Sequence, residues 1–350
     1  MRVLLRADGD ELSGTGHVMR MLALAQAVVD GGGEARLASA RLAPGLETRL
    51  AQEALPVQHL SVTPGGKDDS QASLAAAREL GADWIAADGY AFGPGFQRGV
   101  SAAGRRLLLV DDFGHGRPYT AELVLDQNPG ATEGLHAGRS ARTRLLLGGA
   151  FTLLRREFRT TAAPCEPAPL PPRAHRVLVT LGGADPVDAT SRVVAALRGL
   201  RDPELRVRVV IGPGNPRARA LSAACDDPRF ELLVAHPDMP GLMRWAELAV
   251  SAAGTTAYEL ATMGVPALLI LLADNQRVVE TGMAGPGGPC ASLGFHDRLA
   301  PAAIAGAVEA LCADPGRRAA MRDAGRRCID GRGALRVRDA MAAFGAEAGP

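Results

Sequence analysis

Short apolar runs alternate with amphipathic stretches along the first half of the chain. Residues 2–7 predict a strand, and residues 16–33 predict a helix that ends in glycines. One face of that helix carries an apolar stripe: Val18, Leu22, Ala25 and Val29. Further strands are predicted at 34–40, 83–89, 106–113, 122–128 and 144–148, with helices near 44–53 and 71–80. Apolar strands alternating with amphipathic helices indicate a parallel sheet covered on both faces.

This pattern stops at a proline-rich stretch and then restarts. Residues 160–176 hold five prolines with little periodicity, which is typical of a stiff linker. We therefore predict an N-terminal Rossmann-like domain at 1–158, a linker at 159–175 and a C-terminal, nucleotide-binding Rossmann-like domain at 176–350. The predicted fold class is α/β, with two parallel sheets facing a central cleft that would hold the ligand.

The amino-acid composition argues against several classes of binding partner. The chain has 350 residues, and 39 Lys and Arg balance 38 Asp and Glu, which disfavours nucleic acid or an anionic membrane as partner. Its five cysteines are widely spaced without a CxxC pair, which argues against a zinc site or a disulfide framework. The start of the chain does not resemble a signal peptide, and the longest apolar run, 265–273, is too short for a membrane helix. We expect a soluble, cytoplasmic monomer.

The segment SGTGHVMR at 13–20 lies between the first strand and its helix. Gly14 and Gly16 permit a tight turn, and His17 falls in the first helical turn. The positive end of the helix dipole disfavours the imidazolium ion, so a neutral His17 could act as a general base. The alternative interpretation is a glycine-rich turn with an incidental histidine.

A second strand-turn-helix segment is suited to a diphosphate. Gly254 lets a ligand approach the backbone, and Thr255 and Thr256 offer amides, hydroxyls and a helix cap. Glu259, one turn further, could accept both ribose hydroxyls, and 275–276 (Asn275 and Gln276) would lie at the same sheet edge. The alternative is an ordinary turn in which threonine caps a helix.

Other positions give weaker signals. Gly182 and Gly183 follow a strand and suggest a second turn near a diphosphate. Asp88, Tyr90 and the pair 111–112 follow strands at the edge where His17 lies, and each could orient sugar hydroxyls or simply cap a turn. Five histidines lack comparable settings and are expected to be surface or packing residues: His59, His136, His175, His236 and His296.

Taken in order, these segments resemble a known family. The matching segments run from residue 2 to about 340: SGTGHVMR, VDDF, LDQN, LLGGAFTLLRREF, VTLGGADP, SAAGTTAYEL, GVPALLILLADNQ and IDGRGALRV. They look like the hydrolases of pseudaminic acid biosynthesis, which release UDP from UDP-2,4-diacetamido-2,4,6-trideoxy-β-L-altropyranose and are similar in fold to the GT-B, MurG-like glycosyltransferases. Met21 and the short glycine-rich stretch 88–97 depart from the family's pattern.

The resemblance implies a role for each candidate. His17 would be the catalytic histidine, 254–259 the nucleotide site, and 275–276 the pair that contacts the sugar. Tyr90 falls where the family usually has a tyrosine after a strand-ending acidic residue. His17 would deprotonate a water that attacks C1 with inversion and C–O cleavage, with UDP-sugar as substrate and with neither metal nor cofactor. Two alternatives stay open: a GT-B glycosyltransferase with an acceptor hydroxyl in place of water, and a nucleotide-sugar-binding protein without activity.

Overall fold

The chain forms two compact units. A computed structural model describes residues 1–10, 14–161, 170–183 and 185–347. The first unit comprises Met1–Arg159 together with Gly331–Pro350, and the second comprises Thr160–Asp330. Residues 162–169 of the predicted linker lie outside the described residues.

Seven parallel strands form the sheet of the first unit, in the order β3-β2-β1-β4-β5-β6-β7. The strands are β1 (Arg2–Ala7), β2 (Glu34–Ser39), β3 (Val57–His59), β4 (Trp84–Asp88), β5 (Arg106–Val110), β6 (Leu123–Asp126) and β7 (Arg144–Leu147). The helices are α1 (Gly16–Asp30), α2 (Pro44–Gln52), α3 (Lys67–Leu80), α4 (Pro94–Ala102) and α5 (Arg156–Thr161). Alternate residues of β1 enter two different hydrophobic clusters, Val3 and Leu5 in one and Leu4 in the other. The sheet therefore has a core on both faces, as its near-continuous apolar strands predict.

Helix α1 buries most of the predicted apolar stripe. Val18, Leu22 and Ala25 are buried in the cluster that also holds Val3 of β1. Val29, predicted on the same face, is 49% exposed, and that prediction is wrong. The neighbouring Val28 packs inward in its place, because it lies three residues after Ala25 on the covered face.

The second unit repeats this architecture with six parallel strands in the order β10-β9-β8-β11-β12-β13. The strands are β8 (Arg176–Thr180), β9 (Arg206–Ile211), β10 (Phe230–Val234), β11 (Leu248–Ala252), β12 (Ala267–Leu271) and β13 (Cys290–Phe295). The helices are α6 (Ala189–Arg198), α7 (Ala218–Ala224), α8 (Met239–Trp245), α9 (Thr255–Met263), α10 (Arg277–Met283), α11 (Pro301–Ala313) and α12 (Pro315–Cys328).

The last helix, α13 (Gly333–Glu347), belongs to the first unit rather than to the second. Ala334, Val337 and Met341 are fully buried in the cluster formed with α1 and β1. The sequence-based domain 176–350 therefore differs from the structure in its last twenty residues. The physical reason is the apolar face of α13, which completes the cover over α1.

Both sheets reverse their strand order at one point. In the first unit the reversal lies between β1 and β4, and in the second it lies between β8 and β11. Loops that leave such neighbouring strands in opposite directions open a crevice at the carboxyl edge of the sheet, where ligands of open α/β sheets bind. In the part of the chain that is described, no helix is both long and apolar enough to cross a bilayer.

Candidate functional site

His17 stands at the reversal point of the first sheet. The loop after β1 turns at Gly14, which has a left-handed φ of +75°, and α1 begins at Gly16. His17 is the second residue of that helix and is 7% exposed. The two glycines and the histidine therefore lie where the sequence placed them.

Asp88, the last residue of β4, holds the ring of His17. Its Oδ1 lies 2.7 Å from His17 Nδ1, and the carboxylate is fully buried. Burial opposes ionisation of Asp88, but the charge of Arg20 and the hydrogen bond with His17 outweigh it and lower the pKa of the carboxyl. An ionised carboxylate can only accept, so Nδ1 donates to Asp88, and in the neutral ring this tautomer leaves Nε2 as the acceptor. Asp88, considered in the sequence as a sugar ligand, is thus a partner of His17 with no surface to offer a sugar.

Arg20 clamps Asp88 from the same helix. Its Nε and Nη2 donate to the two Asp88 oxygens at 2.7 and 2.6 Å, and its Nη1 donates to Asp112 Oδ2 at 2.6 Å. Burial disfavours the guanidinium, yet the Asp112 and Asp88 charges raise the pKa of Arg20 well above its usual value. Two parallel bonds to one carboxylate fix its plane, so Arg20 sets the orientation of Asp88.

The hydrogen-bond chain continues beneath the edge of the sheet. Asn128 donates from Nδ2 to Asp112 at 3.1 Å and to Asp126 at 2.6 Å. Asp126 in turn lies 3.0 Å from Nε2 of the fully buried His136. Burial raises the pKa of Asp112, and the nearby Asp88 and Asp126 add to this against the opposing effect of Arg20. The ends of β4, β5 and β6 are therefore joined by polar side chains.

Asp111 organises the turn that follows β5. Its carboxylate accepts the backbone N–H groups of residues 113–116 and the hydroxyl of Tyr119 at 2.8 Å. Nδ1 of His115 lies 2.7 Å from its Oδ1. Although burial opposes ionisation, these contacts hold the pKa of Asp111 well below its usual range. Asp111 is thus a turn residue, which is the second of the two interpretations that the sequence allowed for it.

Tyr90 supplies an aromatic surface beside His17. Its ring meets the His17 ring edge-on at a centroid distance of 4.9 Å, and it lies 5.6 Å from Phe113. Tyr90 is 51% exposed, so its side chain packs beside His17 and is still partly accessible. The structure brings together His17 and Tyr90, the two first-unit candidates that the sequence placed after different strands.

The candidates of the second unit occupy its own reversal point. Gly254 is the N-cap of α9, and a Cβ built on it would meet no described atom within 4 Å. Thr255 and Thr256 are the first helical residues, with amides that have no acceptor inside the helix. The cap is the glycine and no side chain caps the helix, so threonine capping, the alternative interpretation of this segment, is wrong. Glu259 lies one turn on and is partly exposed.

Gly182 and Gly183 follow β8, the strand next to β11. Gly182 has a left-handed φ of +91° and open space at its missing side chain. The Gly183 carbonyl accepts the Gly212 N–H at 2.9 Å, which ties this turn to the turn after β9. Because β8 and β11 are neighbours, residues 182–183 and 254–256 follow adjacent strands of the same sheet.

Asn275 and Gln276 form a short 3-10 turn after β12. Asn275 is exposed, whereas Gln276 accepts the Leu272 N–H at 2.8 Å through Oε1. Gln276 therefore braces its own loop, and only part of its amide is available to a ligand.

Of the three side chains that the structure describes in contact with His17, the sequence singles out Asp88 and Tyr90 but gives Arg20 no role. It also gives no role to His115, and it predicts His136 as a surface or packing residue, whereas these histidines contact Asp111 and Asp126. A usable signal existed for Arg20, since residues three apart share a helix face. In the described ranges, no group of three or more His, Cys, Asp or Glu side chains is arranged to hold a metal ion.

Part of the second unit matches a known protein family. Residues 176–280 match the glycosyltransferase family 28 C-terminal domain. The chain is 26% identical to the spore coat polysaccharide biosynthesis protein SpsG of Bacillus subtilis over 197 residues, 56% of this chain and 57% of that one. It is 19% identical to protein MJ1062 of Methanocaldococcus jannaschii over 283 residues, 79% of this chain and 57% of that one. The matches thus span 57% of the length of each of these relatives.

Solved structures resemble nearly the whole chain. MurG of Acinetobacter baumannii superposes with a TM-score of 0.66 at 17% identity, covering 97% of this chain and 99% of MurG. The fold is GT-B-like. The spinosyn rhamnosyltransferase SpnG, complexed with thymidine diphosphate, gives 0.68 at 18% identity over 97% of this chain and 100% of SpnG. MnaA of S. aureus, solved with UDP, gives 0.67 at 13% identity over 98% of this chain and 97% of MnaA.

Proposed function

We propose that the protein is an enzyme of nucleotide-sugar chemistry that transfers a glycosyl group from a UDP-sugar to a hydroxyl acceptor. The observation that carries the proposal is the His17–Asp88 pair, joined at 2.7 Å through Nδ1 at the reversal point of the first sheet. Support for the donor comes from the second unit, where residues 176–280 match a glycosyltransferase domain and include 254–259.

The proposed step is a displacement at the anomeric carbon. Nε2 of His17 accepts the proton of the acceptor hydroxyl while the acceptor oxygen forms a bond to C1. The C1–O bond to the diphosphate breaks, its electron pair leaves with UDP, and the configuration at C1 inverts. Asp88 holds the ring in the required tautomer and stabilises the imidazolium that forms. Amides at 254–256 meet the charge on the departing diphosphate.

Tyr90 suits a sugar ring bound beside this base. Aromatic faces pack against the apolar faces of pyranose rings, and a tyrosine combines such a face with a polar hydroxyl. The partly exposed Tyr90 side chain stands next to His17 in the described first unit. We assign it to the positioning of the reacting sugar or of its acceptor.

Hydrolysis is the second candidate, with water in place of the acceptor hydroxyl. It is favoured by the ordered resemblance of the chain's motifs to UDP-sugar hydrolases, in particular to those that act on a diacetamido-trideoxy hexose. The same base, nucleotide site and inversion would serve both reactions, so the two candidates differ in the nucleophile alone.

One experiment separates these candidates. The protein is incubated with a panel of UDP-sugars, with and without hydroxyl acceptors, and free UDP and sugar products are quantified by chromatography. Glycosyl transfer predicts UDP release that depends on an acceptor, whereas hydrolysis predicts equal release without one. The exposed histidine variant His59→Asn serves as the matched control for His17→Asn, since both change one histidine. Absence of UDP release from every donor and acceptor pair would sink both candidates.

A further inference from the structure

We propose that Arg20 has a second role beside clamping Asp88: its guanidinium offsets the carboxylate charge, so that His17 keeps Nε2 unprotonated while Nδ1 stays bonded to Asp88. Arg20 is thus a positioning and charge-setting residue for the base. The inference rests on the proposed function of His17, and it adds an electrostatic role to the clamp that Arg20 already forms on Asp88.

The geometry presents His17 with two opposite charges at once. Nδ1 lies 2.7 Å from Asp88 Oδ1 and 3.0 Å from Arg20 Nη2. A carboxylate alone beside an imidazole would favour the imidazolium ion, which cannot accept a proton. The guanidinium at nearly the same distance opposes that effect. His17 needs Asp88 to set its tautomer. It therefore also needs the Arg20 guanidinium, which keeps the imidazole neutral.

Among the described side chains that contact His17, Arg20 is the one that carries a positive charge. His17 is faced by Asp88 from β4, by Arg20 from its own helix, and by the ring of Tyr90 from the loop after β4. Asp112, after β5, reaches the cluster through the third N–H of Arg20. Because Asp112 shares the guanidinium, it weakens the cationic influence of Arg20 on His17.

Lysine could not replace both functions of Arg20. The guanidinium makes two parallel bonds to Asp88 and a third bond to Asp112 in one plane. An ammonium is a point charge without that planar fork. Charge and orientation can therefore be separated by substitution.

The test is an NMR titration of the His17 ring, with the pH profile of kcat/KM as the second readout. Arg20→Gln removes the charge, so the His17 titration and the acid limb should both move up by about 1–3 pH units. Arg20→Lys should leave the titration close to that of the natural protein while kcat falls. Asp112→Asn should move the titration down, because Arg20 then acts on His17 with one fewer anion to share its charge.

The opposite signs of these shifts exclude a merely structural role. Loss of packing alone would lower the melting temperature of each variant without moving the titration in opposite directions. An unchanged titration in folded Arg20→Gln would overturn the proposal. If that variant does not fold, a titration that is unchanged or moves up in Asp112→Asn would overturn it.

The titration also separates this proposal from the proposed function, because it needs no substrate. Opposite shifts without turnover of any UDP-sugar would refute the function and keep the charge-setting role. Turnover of a UDP-sugar with no shift of the His17 titration in either variant would refute the charge-setting role and keep the proposed function.

Discussion

Replacing Asp88 by Asn tests the pairing on which the base depends. The carboxylate accepts one hydrogen bond from His17 and two from Arg20, all between 2.6 and 2.7 Å. An asparagine of the same shape has one oxygen and one NH2 group. If the NH2 group faces His17, the ring must carry its proton on Nε2, and the base is lost. If the NH2 group faces Arg20, it points at an N–H donor of the guanidinium, and that hydrogen bond is lost.

Both consequences have an expected magnitude. Loss of a general base typically lowers the rate by about 10²–10⁴, so kcat of Asp88→Asn should fall within that range. Breaking a buried charge pair costs about 3–5 kcal/mol, and the retained carbonyl oxygen of asparagine places this variant near the lower end. UDP affinity should stay unchanged, because the proposed nucleotide site lies in the second unit.

The assay combines kcat and KM for the UDP-sugar, UDP binding by calorimetry and thermal unfolding. Asp30→Asn is the matched control, since it removes a carboxylate held by two arginines at the opposite end of α1 from His17. A folded Asp88→Asn with kcat within about threefold of the natural protein would refute the tautomer argument.

Three further changes test other parts of the account. Glu259→Ala should weaken UDP binding by about 1–3 kcal/mol through a lost charged hydrogen bond, and equal affinity in calorimetry would remove Glu259 from the ribose role. Burial opposes protonation of His115, but Asp111 raises the pKa of its ring above 6.5. The stabilisation is therefore fully present below about pH 6.5 and is lost as the pH rises through the folded-state pKa. The melting temperature should fall over that window in the natural protein and less in His115→Asn; parallel curves would contradict this. Met341→Ala should cost about 2–5 kcal/mol in the first unit, measured by denaturant unfolding, and destabilisation of the second unit instead would contradict the placement of α13.

The repeating strand-helix pattern was enough to predict both sheets. The glycine turn before α1 marks the loop after β1, and the residues 88–90 mark the loop after β4. Parallel sheets bring such loops to one edge, so His17 and Tyr90 could be placed near each other from sequence alone. The same reasoning placed Gly254 at the start of α9.

The sequence pattern could not predict where α13 packs or which side chains hold His17. Helix α13 follows the second unit in the chain, and an apolar helical face does not identify the surface that covers it. The chain from Asp88 to His136 depends on the relative register of β4, β5 and β6. Along the chain, 24 residues separate Asp88 from Asp112, and 16 separate Asp112 from Asn128. No local pattern links residues that meet only when strands align.

The central claim is that His17 is the base that activates the nucleophile. The most direct measurement is UDP release by His17→Asn beside the natural protein, with UDP affinity determined for both. The account predicts a fall in kcat of about 10²–10⁴ and unchanged UDP affinity. Turnover that survives in a folded His17→Asn, or a loss explained wholly by weaker UDP binding, would contradict it.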